Sequence, residues 1–327
     1  MTSPGVFDSS FSRAKRTVVD GQGRFNFAPE LGANTIMACN KAGFAEAELE
    51  PLNASNIITL QPWSRVEGVL RIGDTLGSNE VVCLWNYPEK EDKAGFFFHL
   101  ETRTDAQGRF AFDDVPPVGM VVYHNLSLIK NEPDPGTDWE KAIETDEGTM
   151  YVTRPRFVES QPTYFQPAPG QMCAVSLGGK GWTIRGEFHP DAPEDFGDWT
   201  TNEIHFMSNP TLGLGLNYKD FANDADYEKA RQASVDAADA YDRTEAGKRE
   251  WHNHKNYGIT VNDKGNFLIQ DVLPGTYLLS IDTSSYGTRN SRWRVRLRKE
   301  VVVPEMPAGR ERADMDFGTI EIPATAE

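Results

Sequence analysis

The chain is predicted to be mainly β: tandem antiparallel β-sandwich modules, with one amphipathic helix inserted in the last module. Three observations predict this. One turn phrase is written three times, one opening-strand phrase is written twice, and a single stretch between strand-like segments switches from a period of two to a period near that of a helix.

The turn phrase is Asp20-Gly21-Gln22-Gly23-Arg24-Phe25-Asn26-Phe27. It returns as Asp105-Ala106-Gln107-Gly108-Arg109-Phe110-Ala111-Phe112 and again as Asp263-Lys264-Gly265-Asn266-Phe267-Leu268-Ile269. Each copy is polar up to a glycine and then alternates aromatic or aliphatic residues. Glycine accepts the positive φ of a tight hairpin, and the alternation places the phenylalanines on one sheet face.

The opening phrase is Trp63-Ser64-Arg65-Val66-Glu67-Gly68-Val69-Leu70, repeated as Gly181-Trp182-Thr183-Ile184-Arg185-Gly186-Glu187-Phe188. Val66 and Leu70 flank the central glycine as Ile184 and Phe188 do. The expected division is a truncated first module at 1–62, a second at 63–178 and a third at 179–323. Gln61-Pro62-Trp63 and Gly178-Gly179-Lys180-Gly181 join them. The first module lacks an opening strand, so the chain reads as the C-terminal piece of something longer, attached to upstream domains. The absence of an apolar leader in residues 1–8 then carries no weight.

From opening glycine to turn glycine, the third module is about twice as long as the second. The excess holds residues 220–250, rich in Ala, Asp, Glu, Lys and Arg and free of proline. Tyr227, Ala230, Ser234, Ala237 and Tyr241 fall at spacings of three and four, which is one helical face. Elsewhere the punctuation is that of strands. Val115-Pro116-Pro117-Val118-Gly119 and Val272-Leu273-Pro274-Gly275 are matching turns before strands at 120–123 and 276–281. Pro167-Ala168-Pro169-Gly170 precedes a strand at 172–177. Residues 131–148, with Pro133, Pro135 and Trp139, form a polar, acidic excursion with no assigned structure.

With 327 residues, of which 39% are hydrophobic and 11% aromatic, the chain has room for two or three folded domains. A net charge of −16 repels phosphates, which excludes a nucleic-acid partner and an anionic membrane surface. No window approaches the roughly 18 consecutive apolar residues of a membrane helix, so no direct membrane insertion is expected. Cys39, Cys83 and Cys173 each lie in a strand-like run and are expected to be buried free thiols.

No nucleophile elbow, phosphate loop or His-Glu-x-x-His helix is present, so no catalytic residue and no cofactor is assigned. His99, His124, His189 and His205 each lack a glutamate three residues later. His252 and His254 could share a metal if they lay on a strand, but no third ligand is nominated. They are read as a polar helix exit, and no metal site is assigned. Each aspartate turn offers one carboxylate, far short of the six to eight oxygens calcium takes. Arg292, Arg294, Arg296 and Arg298 alternate along one strand and are read as a solvated face pairing across to acidic neighbours. Trp63, Trp85, Trp182 and Trp293 sit in or beside apolar strands and are assigned to the core. Trp139 and Trp199 sit among Asp, Pro, Gly and Thr, which makes them the ligand-binding candidates, as platforms for a sugar ring.

The Arg65-Val66-Glu67-Gly68 phrase, the Asp-x-x-Gly-Arg-Phe-x-Phe turn and Asp271-Val272-Leu273-Pro274-Gly275-Thr276-Tyr277 together resemble carboxypeptidase regulatory-like domains. These are similar to the seven-stranded sandwiches of transthyretin and Cna-B type and occur in tandem in bacterial envelope proteins, so the resemblance implies modules of prealbumin-like, Greek-key type. The resemblance covers most of residues 17–323, and its closing strands are similar to those of planctomycete-type bacterial proteins. It implies a non-catalytic binding or spacer region of an envelope or secreted protein, with a protein or a glycan as partner. Two alternatives stay open: a carbohydrate-binding module, and the accessory region of an enzyme or sensor whose catalytic domain lies upstream. Cna-type sandwiches carry Lys–Asn crosslinks, but no lysine falls in residues 65–71 or 183–189, so none is expected here.

Overall fold

The structure is a computed structural model that describes residues 6–7, 16–28, 35–49, 56–86, 98–127, 139–145, 148–154, 157–191, 199, 203–208, 223–262, 264–284 and 293–323. It is a β protein with two compact units. The first comprises Met1–Val69, Ser78–Tyr123 and Thr163–Ser176; the second comprises Leu70–Gly77, His124–Pro162 and Leu177–Glu327. Among the described residues no helix is long and apolar enough to cross a membrane.

One five-stranded sheet runs in the order Val6–Phe7, Phe98–Arg103, Val81–Asn86, Met120–Ser127, Phe157–Phe165. The run Val81-Val82-Cys83-Leu84 is apolar at every position because the strand is buried on both faces. Val81, Cys83 and Tyr123 form a small cluster against Trp85. Another sheet is built on the opening strand Ser64–Ile72, flanked by Met172–Leu177 and Thr75–Leu76 and also paired with Arg109–Val115. As the alternation predicts, Val66, Phe110 and Phe112 are buried.

The second repeat, which starts with the second copy of the opening strand at Gly181, lies in the second unit and shows the sandwich most plainly. One sheet has the order Thr260–Val261, Asn266–Val272, Gly181–Pro190, Arg312–Ile322; the other has Asn256–Tyr257, Glu203–Ser208, Gly275–Ser284, Trp293–Val303. Ile184, Phe188, Phe267, Ile269 and Ile320 of the first sheet pack in one cluster with Phe206, Tyr277, Leu279, Ile281 and Val303 of the second. Phe188 stacks on Phe267 at 4.4 Å and Phe206 on Tyr277 at 4.9 Å between ring centroids. The sheets are not wholly antiparallel, since Arg312–Ile322 runs parallel to Gly181–Pro190. The Leu273-Pro274-Gly275 turn is held by two buried tyrosines: Leu273 N–H donates to Tyr257 Oη (3.1 Å), and Tyr277 Oη–H donates to Leu273 O (2.7 Å).

All three turn phrases fold alike, yet their surroundings differ. In the first two, the aspartate N–H donates to the carbonyl four residues on, and its carbonyl accepts the glycine N–H. Its Oδ1 accepts two further N–H groups, from Gln22 and Arg24 or from Gln107 and Arg109, all at 2.8–2.9 Å. In the third copy this role falls to Asn262 and not to Asp263, which lies outside the described residues. Asn262 Oδ1 accepts from Lys264 N and Asn266 N at 3.0 Å. The turn glycines have φ of 78°, 70° and 84°. Only the third copy is a hairpin of paired strands, Thr260–Val261 with Asn266–Val272. The second links strands of different sheets, and the first has no flanking strands among the described residues 16–28, with Phe25 37% exposed rather than turned inward. Side-chain-to-backbone bonds close the turn locally, so it forms whether or not a sheet follows. Asn262→Ala is therefore expected to lower stability by about 1 kcal/mol in urea unfolding, with Asn262→Asp close to neutral. Asp20→Ala should leave the midpoint in place.

The insertion is two helices, Asp224–Asp242 and Glu245–His252, rather than one. Thr244 ends the first and caps the second. Its N–H and Oγ1–H donate to Tyr241 O, while Oγ1 accepts Gly247 N–H at 3.0 Å. Of the predicted face, Tyr227, Ala230, Ser234 and Tyr241 are half-buried and Ala237 is exposed. Within the acidic excursion, Trp139–Thr145 and Gly148–Arg154 form a hairpin; residues 131–138 and 146–147 lie outside the described residues. Only Cys83 is buried as expected: Cys39 is exposed, and Cys173, on a strand whose alternate side chains face outward, is intermediate.

Candidate functional site

Both repeats build one frame around a glycine. Gly68 pairs with Phe110 and Gly186 with Phe267 across antiparallel strands. In each, the phenylalanine ring lies over the glycine, so that a Cβ at 186 would stand 2.6 Å from Phe267 Cζ. In each, the ladder then slips by one residue, between Ser64 and Val66 or between Trp182 and Ile184. The bulged residue opposite is an aspartate with positive φ: Asp114 (54°) and Asp271 (59°).

The two aspartates meet different surroundings. Asp114 is exposed, whereas the Asp271 side chain is fully buried. Asp271 Oδ2 accepts Gly73 N–H at 2.9 Å and Gln161 Nε2–H at 3.4 Å, and the Gly179 N–H donates to the same carboxylate. Arg312 Nε lies 3.7 Å from Oδ1 and makes no hydrogen bond, nor does Oδ1. Arg312 also pairs with the exposed Asp74 and donates to Thr183 Oγ1 at 3.2 Å. Burial raises the Asp271 carboxyl above the ordinary aspartate value, and the hydrogen bonds and Arg71 counter this only in part. Beside Gln161 a cavity of about 30 Å³, large enough for one water molecule, is lined by His124, Ser160, Thr260 and Gln270 among others. The sequence carried one signal of this node: an aspartate between the core positions Ile269 and Val272, matching Asp114 in the other repeat. By pattern alone that aspartate belongs to the turn before Pro274.

The residues singled out from sequence are scattered. Trp139 opens the hairpin strand opposite Arg154, so it lies on a strand and not in a loop. Trp199 is half-buried, stacked on Phe188 at 5.4 Å and 27° and packed against the second unit's core. Trp63 and Trp182 are half-buried, with their indole N–H groups donating to Asn40 O and Pro304 O. His252 ends the second helix, as the helix-exit reading expects, and His254 Nδ1 is 2.9 Å from Ser208 Oγ. That oxygen also accepts Lys255 N–H at 3.1 Å. Among the described residues, no group of three or more His, Cys, Asp or Glu side chains is placed to hold a metal ion.

The arginine stripe is interrupted. The ladder pairs Ile281 with Leu297 and Asp282 with Val295, which leaves Arg296 as a bulge. Arg294 and Arg298 stand opposite Thr283 and Ser280, not opposite acidic residues; Arg292 lies outside the described residues.

No family model matches the chain, and no curated protein matches it. Among solved structures, it is similar to a candidate carbohydrate-binding protein from Pseudomonas aeruginosa, with 16% identity over 39% of this chain and 94% of that one and a TM-score of 0.21. It is also similar to the minor pilin of Streptococcus agalactiae, with 9% identity over 80% of this chain and 95% of that one, TM-score 0.21. A third is a candidate cell adhesion protein from Bacteroides ovatus, with 12% identity over 80% and 94%, TM-score 0.23. At such TM-scores these likenesses carry no argument about role, and the β-sandwich class stands on the chain's own paired sheets and shared core.

Proposed function

We propose that the chain is a non-catalytic binding and spacer region of tandem sandwich modules, at 1–62, 63–178 and 179–323, of the carboxypeptidase regulatory-like type. It belongs on this reading to a larger bacterial envelope or secreted protein. The supporting observation is the twice-built frame: opening strand, ring over glycine, slipped ladder and positive-φ aspartate recur together. Residues common to both repeats serve the fold, so recognition is assigned to what differs between them. What differs is the Trp139–Arg154 hairpin, the helical insertion and the Trp199 segment, and the partner is a protein or a glycan.

A glycan array probed with the intact chain tests this, alongside Trp139→Ala and Trp199→Ala. Binding of a glycan class, weakened about tenfold or more in either variant, supports sugar recognition through the inserts. Absence of any bound glycan removes the sugar partner and leaves the protein partner. Chemical turnover of a bound ligand overturns the non-catalytic reading.

A further inference from the structure

Asp271 is the point at which separate segments of the second unit converge. The 72–75 turn reaches it through Gly73 N–H, the 177–181 segment through Gly179 N–H, strand Phe157–Phe165 through Gln161, and strand Arg312–Ile322 through Arg312. The approach is close: a Cβ on Gly178 would lie 2.9 Å from Asp271 Oδ2, and one on Gly179 would lie 2.7 Å from Arg71 Cδ. Asp114, at the same place in the other repeat's ladder, is exposed. The bulge thus presents an aspartate in both repeats, and in one of them this aspartate fastens other chain segments.

We propose that Asp271 is a charge-controlled latch that fastens the 72–75 turn and the 177–181 segment to the second repeat. One carboxylate oxygen does the fastening, while Oδ1 and Arg312 Nε stay buried without hydrogen bonds. A buried network satisfied only in part is costly when charged, and it gains when the charge is removed. The charged and titratable groups around the carboxylate are Arg71 on strand Ser64–Ile72, Arg312 on the last strand with its partner Asp74 on the turn, and Tyr257 on strand Asn256–Tyr257. Lys180 of the joining segment lies 3.9 Å from Glu311, and His124 borders the cavity shared with Gln161 and Gln270. Because burial raises the closed-state value, the closed latch binds its proton more readily than an open, hydrated one does. Closure is strongest near and below the ordinary value of 3.8 and weakens as pH rises through the raised value.

Amide hydrogen exchange on the full chain tests the latch, expressed as protection factors for Gly73 and Gly179 in mildly acidic and in neutral buffer. In the native protein, protection is expected to rise about three- to tenfold on acidification. Asp271→Asn keeps an acceptor and a side chain that tolerates positive φ but carries no charge. It should show the higher protection at both pH values. Asp271→Ala should lose about tenfold or more at both, with core amides such as Leu279 unchanged, and Asp114→Ala should change neither glycine. Protection at Gly73 and Gly179 that is the same in Asp271→Ala as in the native chain overturns the latch. A pH dependence shared by the native chain and Asp271→Asn overturns its control by charge, and this comparison stands even if the alanine variant does not fold.

Discussion

Replacing Phe267 by alanine is expected to destabilise the second unit by about 3–5 kcal/mol, read as accelerated exchange of the Ile184, Ile269 and Leu279 amides. The ring is buried, stacks on Phe188 at 4.4 Å and meets Phe317 edge-on at 6.3 Å. It also covers Gly186, so its loss opens a cavity and uncovers backbone in one step. A double-mutant cycle sharpens the test. Gly186→Ala forces a Cβ to 2.6 Å from Phe267 Cζ and 2.9 Å from Gly318 O in the native frame. In the Phe267→Ala background the ring is gone and only the carbonyl remains, so the penalty should shrink by about 0.5–2 kcal/mol. Strict additivity would mean that the ring and the glycine are not a unit.

The second large effect is expected at Gly68. Its absent Cβ is claimed by the Phe110 ring, and by Val175 O at 2.7 Å. A carbonyl held in a neighbouring strand cannot step aside as a flexible side chain does. Strand propensity alone would favour alanine over glycine by about 0.5–1 kcal/mol. Overpacking works against it at about 1–3 kcal/mol, and overpacking should win. Gly68→Ala should therefore lower the urea midpoint at unchanged slope, while Gly21→Ala, with open space around it, should not. A stabilised Gly68→Ala would show that strand Met172–Leu177 can move aside.

The β class and both opening strands were legible because alternation with a period of two states which face is buried. Val66, Leu70, Ile184 and Phe188 are all buried as that pattern requires. Where the reading went astray, long-range pairing made the difference. The turn at Asp20 has the same bonds as the turn at Asp105, yet the described residues 16–28 around it join no sheet, and a local phrase cannot report a partner strand. Matching by residue name points to Asp263, whereas the turn geometry counts back three residues from the glycine to Asn262. The break in the helix at Thr244 was written in the sequence as a threonine before Glu245, a cap signal inside an otherwise helical pattern. Of the Asp271 node only the aspartate itself has a sequence signal, since Gly73, Gln161, Gly179 and Arg312 are brought to it only by the finished fold.

The parallel pairing of Gly181–Pro190 with Arg312–Ile322 has a mechanical consequence. These are the first and last strands of the second repeat, and they lie side by side over nine paired positions, from Gly181 with Arg312 to Pro190 with Ile322. Tension drawn along the chain pulls one strand back toward its start and the other on toward its end. The hydrogen bonds between them then carry the strain in shear, all together, instead of unzipping one after another. A repeat wired in this way can stand in a stretched tether without giving up its core.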